Sequence, residues 1–534
     1  MNSCMHVLDL PLEMLIKVFQ CLSMDDLKIV IQVNRYFRIA GEDPSLWKSL
    51  VIPEVHPDDL KEFLSLPRLS WIQSLHISDW LSVDHFKLME AKCSLKYLNI
   101  SRCLLQETDQ FEDNTIDLCS KVMNSMEVLN INRAYLTINQ YQQLFEDMAK
   151  STKIKKLIVN TPEFYEDEDF MPILFRVKSE NLAIALSRLV TVQISDCCLT
   201  AEQIRVITKE IGRDNCCLEE LGIAYNDFSD VDGNDYKSLV KLKKLDLSGT
   251  NIFHSDNSNA FLKQILISSR ISYLDLGFNS FSGTNNNRSR VDPKLLAKAL
   301  NKIEYLGLIG VDFTNVQASE FFKRMCVKTC LKELYFEDCK YDMSLVNPNF
   351  KAAGLNRLTK LRMGNSSING PQLLEVFERM AKFTNIQYLD FSFLDLCGVP
   401  PTVFSDALNK IQKVILLDCY VSSDQLVTLF RTVLVSTNIS FLDLSLVPLA
   451  SFSIEDLVEG ALMIETLRLF DTGIPTEVVE EILCRVNPEK KLKLLELSIE
   501  DACDISDVIL YESHLEELRI WDDYKLDEDS FTVF

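Results

Sequence analysis

The pattern aliphatic-x-x-aliphatic-x-aliphatic recurs along this chain at intervals of about 28 residues, and no other feature constrains the fold as tightly. Clear copies are LKYLNI from Leu95, MEVLNI from Met126, LEELGI from Leu218, LKKLDL from Leu242, ISYLDL from Ile271, IEYLGL from Ile303, IQYLDF from Ile386, ISFLDL from Ile439 and LEELRI from Leu515. Six more begin at Ile154, Leu331, Leu358, Ile411, Ile464 and Leu492, and with the weaker copies IQSLHI from Ile72 and LVTVQI from Leu189 there are 17 starts from Ile72 to Leu515. The fourth and sixth positions obey the two-residue period of a short strand and share one inward face. Between copies the apolar spacing turns helical, as in PKLLAKALNK from Pro293 and PQLLEVFERMAKF from Pro371. In the first of these, Leu295, Leu296 and Ala299 share a helical face that can press on the strand layer. A single strand, bend and helix cannot bury its apolar face alone, so the units must stack into one continuous core. Most of the 534 residues are therefore repeat count, and three or four separate domains are excluded.

Charge and composition narrow the function classes. The chain holds 78 acidic and 55 basic residues, a formal net charge of −23. That balance supplies no overall cationic attraction for nucleic acid or an anionic membrane, and it suits a protein partner with a basic patch. The opening MNSCMHVLDLPLEMLIKVF is a poor secretory signal because Asp9 and Glu13 interrupt its apolar residues. Runs of 18 or more uninterrupted apolar residues are missing, so the expected location is cytoplasmic, nuclear or both. The 16 cysteines include no CxxC pair; Cys197-Cys198, Cys216-Cys217 and the Cys326 and Cys330 pair come nearest to metal spacing. The six histidines, His6, His56, His76, His85, His254 and His514, form no HExxH or nucleophile-base motif, and GDPSLWKS lacks a phosphate-binding glycine pattern. Neither catalysis nor a cofactor nor a metal is implied.

The repeat resembles a leucine-rich repeat of the strand/helix kind found in ribonuclease inhibitor-like proteins. That resemblance implies an α/β solenoid, an irregular horseshoe of about 17 repeats of about 28 residues, over residues 72–534. It also implies bend-stabilising Asn or Cys at the ninth repeat position, where this chain has Cys103, Cys197, Asn226, Asn279, Cys339 and Cys419. Two intervals are long, one containing TPEFYEDEDF and one SFSGTNNNRSR; such insertions form surface loops, some of which bind targets. From Glu500 to Phe534 there are 12 acidic residues against Arg519 and Lys525, which suits a polar carboxy-terminal cap.

Residues 6–53 stand outside the repeat, with 54–71 as a linker leading into the solenoid. Pro11 pre-sets a helix start ahead of the stripe Leu12, Leu15, Ile16 and Phe19, and a second start at Ser23 carries Asp26 three residues later. The succession Leu10, Pro11, Glu13, Phe19, Leu22, Asp26, Leu27, Val33, Arg35, Leu46 and Trp47 resembles an F-box, a small all-α module. Asn34 and Phe37 stand where that family often has cysteine and tryptophan. The resemblance implies docking to a Skp-type adaptor and, through it, to a cullin-RING ligase, with Leu10, Pro11, Phe19, Leu27 and Trp47 at or beneath the contact. The expected function is substrate recognition for a Skp/cullin/F-box-type E3 ubiquitin ligase. The alternatives are a non-degradative F-box/repeat scaffold and a ribonuclease inhibitor-like binding solenoid.

On the strands, the aromatic residues Tyr273, Tyr305, Tyr388 and Phe441 and the carboxylates Asp275 and Asp390 are candidates for target binding. Aromatic area beside oriented acceptors suits lysine or arginine on a partner. The same aspartates are equally suited to stabilising the bends that follow them.

Overall fold

The structure, a computed structural model, describes residues 10–521 except 23, 53–69, 78–85, 88, 91–94, 104–112, 135, 161–172, 233–234, 255–257, 283–290, 340–345, 367, 436, 450–453, 488, 503–504 and 506–514. The insertion TPEFYEDEDF, most of SFSGTNNNRSR, most of the 54–71 linker, the Ser23 helix start and the tail after Trp521 lie outside the described residues. Two compact units divide the chain, Met1–Asn226 and Asp227–Phe534.

The first unit opens with three helices, α1 (Leu12–Phe19), α2 (Met24–Val33) and α3 (Arg35–Gly41), and a 3-10 turn at Pro44–Trp47. Their core is Leu15, Phe19, Leu27, Ala40 and Trp47, against which Leu12, Ile16, Leu22, Tyr36, Phe37 and Trp71 pack. The Trp47 indole N–H donates to the Gly41 carbonyl at 2.7 Å, so the largest buried side chain here leaves no polar atom unpaired. Gly41 is required by close approach, because a Cβ there would collide with Ile31. The two departures from the F-box pattern are explained locally. Asn34 caps α3 by accepting from Phe37 N at 2.8 Å, and the Phe37 ring meets Phe19 edge to face at 5.5 Å.

The sheet begins earlier than the repeat pattern indicates. Strand Ser49–Ile52 pairs in parallel with Ser74–Ile77, directly after the helical module. From there each strand of the first unit pairs in parallel with the next, through Tyr97–Asn99, Val128–Asn130, Lys156–Ile158, Thr191–Gln193 and Glu220–Gly222. The second unit repeats this from Lys244–Asp246 through Tyr273–Asp275, Tyr305–Gly307 and onward to Glu517–Trp521. The inward leucines, Leu75, Leu98 and Leu129 in the first unit and Leu245, Leu274 and Leu306 in the second, have no exposed surface.

After each strand the chain turns sharply, and the residue at the eighth repeat position takes a left-handed conformation. Arg102, Asp196, Phe278, Asp338, Phe393, Asp418 and Leu446 have φ between 50° and 62°, and Gly249 and Gly310 fill the same place. The next residue seals the turn. Thiols of Cys103, Cys197, Cys339 and Cys419 donate to Ile77, Val159, Leu308 and Phe391 carbonyls at 3.0–3.1 Å, each in the preceding repeat. Asn226 and Asn279 donate to three carbonyls each, one of them in the preceding repeat, as the resemblance implies. Thr250 and Thr472 do a shorter version of this work, donating to Leu247 and Leu469 of their own strands.

Helices in the second unit alternate in length, a period of two repeats that the strand pattern does not reveal. Pro293–Leu300, Pro348–Leu355 and Pro401–Leu408 have 8 residues, while Asn315–Val327, Gly370–Lys382 and Ser423–Val435 have 13. The short helices start on proline, which has no N–H to leave unpaired at the first position. The long ones start on Thr314, Asn369 or Ser422 with a glutamine three residues on, and that glutamine is buried. Gln425 is representative: its Oε1 accepts from Ser422 N at 2.8 Å, and its Nε2 donates to Leu396 and Val399 carbonyls at 2.8 and 2.6 Å. One side chain thus caps its own helix and ties it to the preceding repeat.

Gln425→Leu keeps the volume but strands the part-buried Ser422 N–H and the Val399 carbonyl, and leaves the Leu396 carbonyl with only the Val399 N–H. It is expected to lower unfolding free energy by about 2–4 kcal/mol, read as a fall in the urea midpoint.

Candidate functional site

On the amino-terminal module the structure separates the five residues named for adaptor contact. Phe19, Leu27 and Trp47 are buried in the module core, Leu10 is half-buried, and Pro11 is exposed just ahead of α1. The Leu10 carbonyl accepts from Tyr36 Oη at 2.8 Å, which fixes the chain entering α1. The surface also offers a set of apolar side chains outside the core-facing stripe, since they face away from the core. Met14 and Val18 lie four residues apart on α1 and Ile29 and Val33 four apart on α2, with Ile39 on α3; all five are 45–64% exposed. Their signal in the sequence is a second apolar face on helices that already have one.

The strand face of the second unit is built from two columns, one from the first and one from the third residue of each strand. In the first column Tyr273 stacks on Tyr305 at 3.8 Å with 9° between the rings. Farther along, Lys360 Nζ lies 4.5 Å from the Tyr388 ring, and Lys413 Nζ lies 5.3 Å from Tyr388 and 4.2 Å from Phe441. The aromatic candidates are thus neighbours in a ladder where tyrosine, lysine and phenylalanine interleave.

The column from the third residue of each strand is built mostly of charged side chains. Asp246, Asp275, Arg362, Asp390, Asp443 and Glu496 are buried, because parallel strands about 4.8 Å apart crowd each polar side chain between its neighbours. Their aspartates also hold the bends. Asp246 Oδ1 accepts from Ser248 N and Oγ, Asp275 Oδ1 from Gly277 N, and Asp390 Oδ1 from Ser392 N and Oγ, at 2.6–3.1 Å. The bend role of Asp275 and Asp390 is therefore real.

Charge in this column is mostly settled internally. Arg362 makes ion pairs with Glu337 at 2.8 Å and Asp390 at 3.3 Å, and its guanidinium lies 5.3 Å from the Tyr335 ring. Arg468 pairs with Glu496 and, at 3.9 Å, with Asp443, and lies 5.1 Å from the Phe441 ring. Arg519 adds a second partner for Glu496 at 3.0 Å. Asp246 and Asp275 are direct register partners, and among the described residues no cation pairs with either. Burial and the neighbouring Asp246 charge push the Asp275 carboxyl up to about 7, and burial raises Asp246 as well.

Burial pushes the Cys419 thiol up to about 12 and raises Cys339, so these bend thiols stay protonated and are poor nucleophiles. Among the described residues no three His, Cys, Asp or Glu side chains are grouped to hold a metal ion, and no helix is long and apolar enough to cross a membrane.

A small helical module joined to parallel-strand repeats is an architecture of recognition and scaffold proteins. The F-box-like family matches residues 7–53, so the module is an F-box-like domain, and the repeats that follow form a leucine-rich-repeat-type solenoid. Among 168 matching chains of solved structures is the crystal structure of a TLR13–ssRNA13 complex, 16% identical with a TM-score of 0.44 over 80% of this chain. The match covers 56% of that chain, so the present one spans little more than half its length. No curated protein matches.

The unneutralised pair sets a pH dependence. A folded-state carboxyl raised from 3.8 to about 7 binds its proton more tightly than the unfolded chain does, so stability falls as pH rises from about 4 to about 7. Asp275→Asn removes that penalty. Its urea midpoint is expected to exceed that of the unsubstituted chain at pH 8, with the gap shrinking steadily as pH is lowered from 7 to 4.

Proposed function

We infer that this chain is the substrate-recognition subunit of a Skp/cullin/F-box-type E3 ubiquitin ligase. The observation that carries the reading is an F-box-like domain at residues 7–53 leading directly into a repeat solenoid. In this reading the exposed Met14, Val18, Ile29, Val33 and Ile39 dock a Skp-type adaptor, while Phe19, Leu27 and Trp47 beneath them keep α1–α3 in the docking geometry. An exposed apolar set rimmed by polar residues suits an obligate partner better than water. The strand face of the second unit presents the target, and the adaptor and cullin bring it to the charged conjugating enzyme. Transfer is then accelerated by proximity and orientation, with no covalent step on this chain. A cytoplasmic or nuclear location, or both, goes with this role.

Met14→Asp and Val33→Asp alter exposed positions and leave the core intact. Each is expected to weaken binding of the full chain to a purified Skp-type adaptor by about tenfold or more, with an unchanged urea midpoint. Failure of the unsubstituted chain to bind adaptor overturns the ligase reading. A chain that recruits adaptor and cullin but does not direct ubiquitination of the proteins it binds is a scaffold instead.

A further inference from the structure

The third strand column contains its own template for what it binds. At two places a carboxylate meets an arginine on the adjoining strand, and each arginine also lies over an aromatic ring: Arg362 beside Asp390 over Tyr335, and Arg468 beside Asp443 over Phe441. The pairing follows the register, which sets Asp390 opposite Arg362 and Asp443 opposite Arg468.

At a third place the same parts are present without the arginine. Asp275 has Asp246 as register partner on one side and Gly307 on the other, and the stacked Tyr273 and Tyr305 rings stand two residues back on the same strands. A Cβ at Gly307 would collide with the Asp275 carboxylate, so the missing side chain is what lets that carboxylate lean across the neighbouring strand. Asp275 is 6% exposed and Asp246 5%, yet Oδ2 of each accepts no hydrogen bond among the described residues. Two buried carboxylates side by side are costly unless a cation completes them.

We propose that Asp246 and Asp275, with the Tyr273–Tyr305 pair as an aromatic wall, form the receptor for an arginine side chain of a protein target. The choice of guanidinium over ammonium follows from the internal template, since a planar fork can bond both carboxylates while stacking on a ring. The proposal rests on the reading of this strand face as the target-presenting surface and names the group it recognises there. Groups facing the pair are Tyr273, Tyr305, Gly307 and, two residues back from Asp246 on its own strand, Lys244, whose charge is constant between pH 6 and 8; burial keeps both tyrosines in their neutral form. Arginine binding therefore draws on the ionised aspartates alone and strengthens as pH rises from 6 to 8.

The test uses the purified full-length chain and Nα-acetyl-arginine amide, with the neutral isostere Nα-acetyl-citrulline amide and Nα-acetyl-lysine amide as comparators, by calorimetry and thermal shift at pH 8. Expected are a dissociation constant on the order of 1 mM for the arginine probe, at least about threefold weaker binding of lysine, and none for citrulline. Asp275→Asn and Asp246→Asn should each weaken arginine binding about tenfold or more while remaining folded, the former with a raised thermal midpoint. Equal binding of lysine, or arginine binding that survives both substitutions, overturns the proposal. Adaptor binding is measured on the same preparations. Adaptor retained without arginine binding removes this site and leaves the ligase reading; arginine binding without adaptor supports the site and removes the ligase.

Discussion

Everything in this solenoid depends on satisfying backbone groups at the bend that follows each strand. A three-residue strand has little ladder of its own, and the left-handed residue after it turns carbonyls into a region closed off by the next repeat. The bend hydrogen bonds therefore run between repeats: Phe278 N donates to the Ile309 carbonyl, Gly310 N to Glu337 and Asn365 N to Ser392, continuing the ladder around the corner. The cysteine or asparagine one residue later reaches back to the preceding repeat, and the buried helix-capping glutamines do the same from the other layer. Each net contribution is about 1 kcal/mol, but an unmade bond in that closed region costs about 1–3 kcal/mol. Stacking is consequently a polar requirement as much as an apolar one, and a repeat removed from its neighbours fails on both counts.

This requirement explains what was legible in the sequence. Every strand from Ser74 to Trp521 lies on the aliphatic pattern, because leucine at the fourth position is what the core selects. The four cysteines and two asparagines at the bends were legible for the same reason, one side chain for one geometric task. Strand Ser49–Ile52 was not, since SLVI is a continuation of the helical module and carries no repeat consensus ahead of it. The alternation of 8- and 13-residue helices was hidden too: it is written in Pro293, Pro348 and Pro401 against Gln317, Gln372 and Gln425, which sit at helix starts rather than in the strand motif.

On the candidate surfaces the sequence identifies residue types, but not which of them the fold buries. In the amino-terminal module, pattern residues such as Phe19, Leu27 and Trp47 are what the family resemblance preserves, and the structure buries them because they make the fold. Exposed Met14, Val18 and Ile29 carry no pattern beyond a second apolar stripe, and of the exposed set only Val33 belongs to the family pattern. On the strand face, reading one repeat at a time made each aspartate a separate acceptor. Which carboxylate meets which arginine depends on residues 25–29 positions apart brought into register, as with Arg362 and Asp390 or Arg468 and Glu496.

Register also gives the buried charges a common logic. A carboxylate that holds its bend through one oxygen presents the other to the strand face, and burial makes that second oxygen expensive to leave alone. Arg362 and Arg468 meet the cost from within, beside Asp390 and Asp443. At Asp246 and Asp275 the next strand supplies Gly307, so the charge stays unsettled and the pair is held at the expense of stability at neutral pH. Fold requirements alone do not select that arrangement, since an arginine beside a carboxylate of the adjoining strand occurs three times elsewhere in the same column, at Arg362, Arg468 and Arg519. The proposed arginine receptor supplies that missing counter-charge from a partner, where Arg362 and Arg468 supply it from the chain itself.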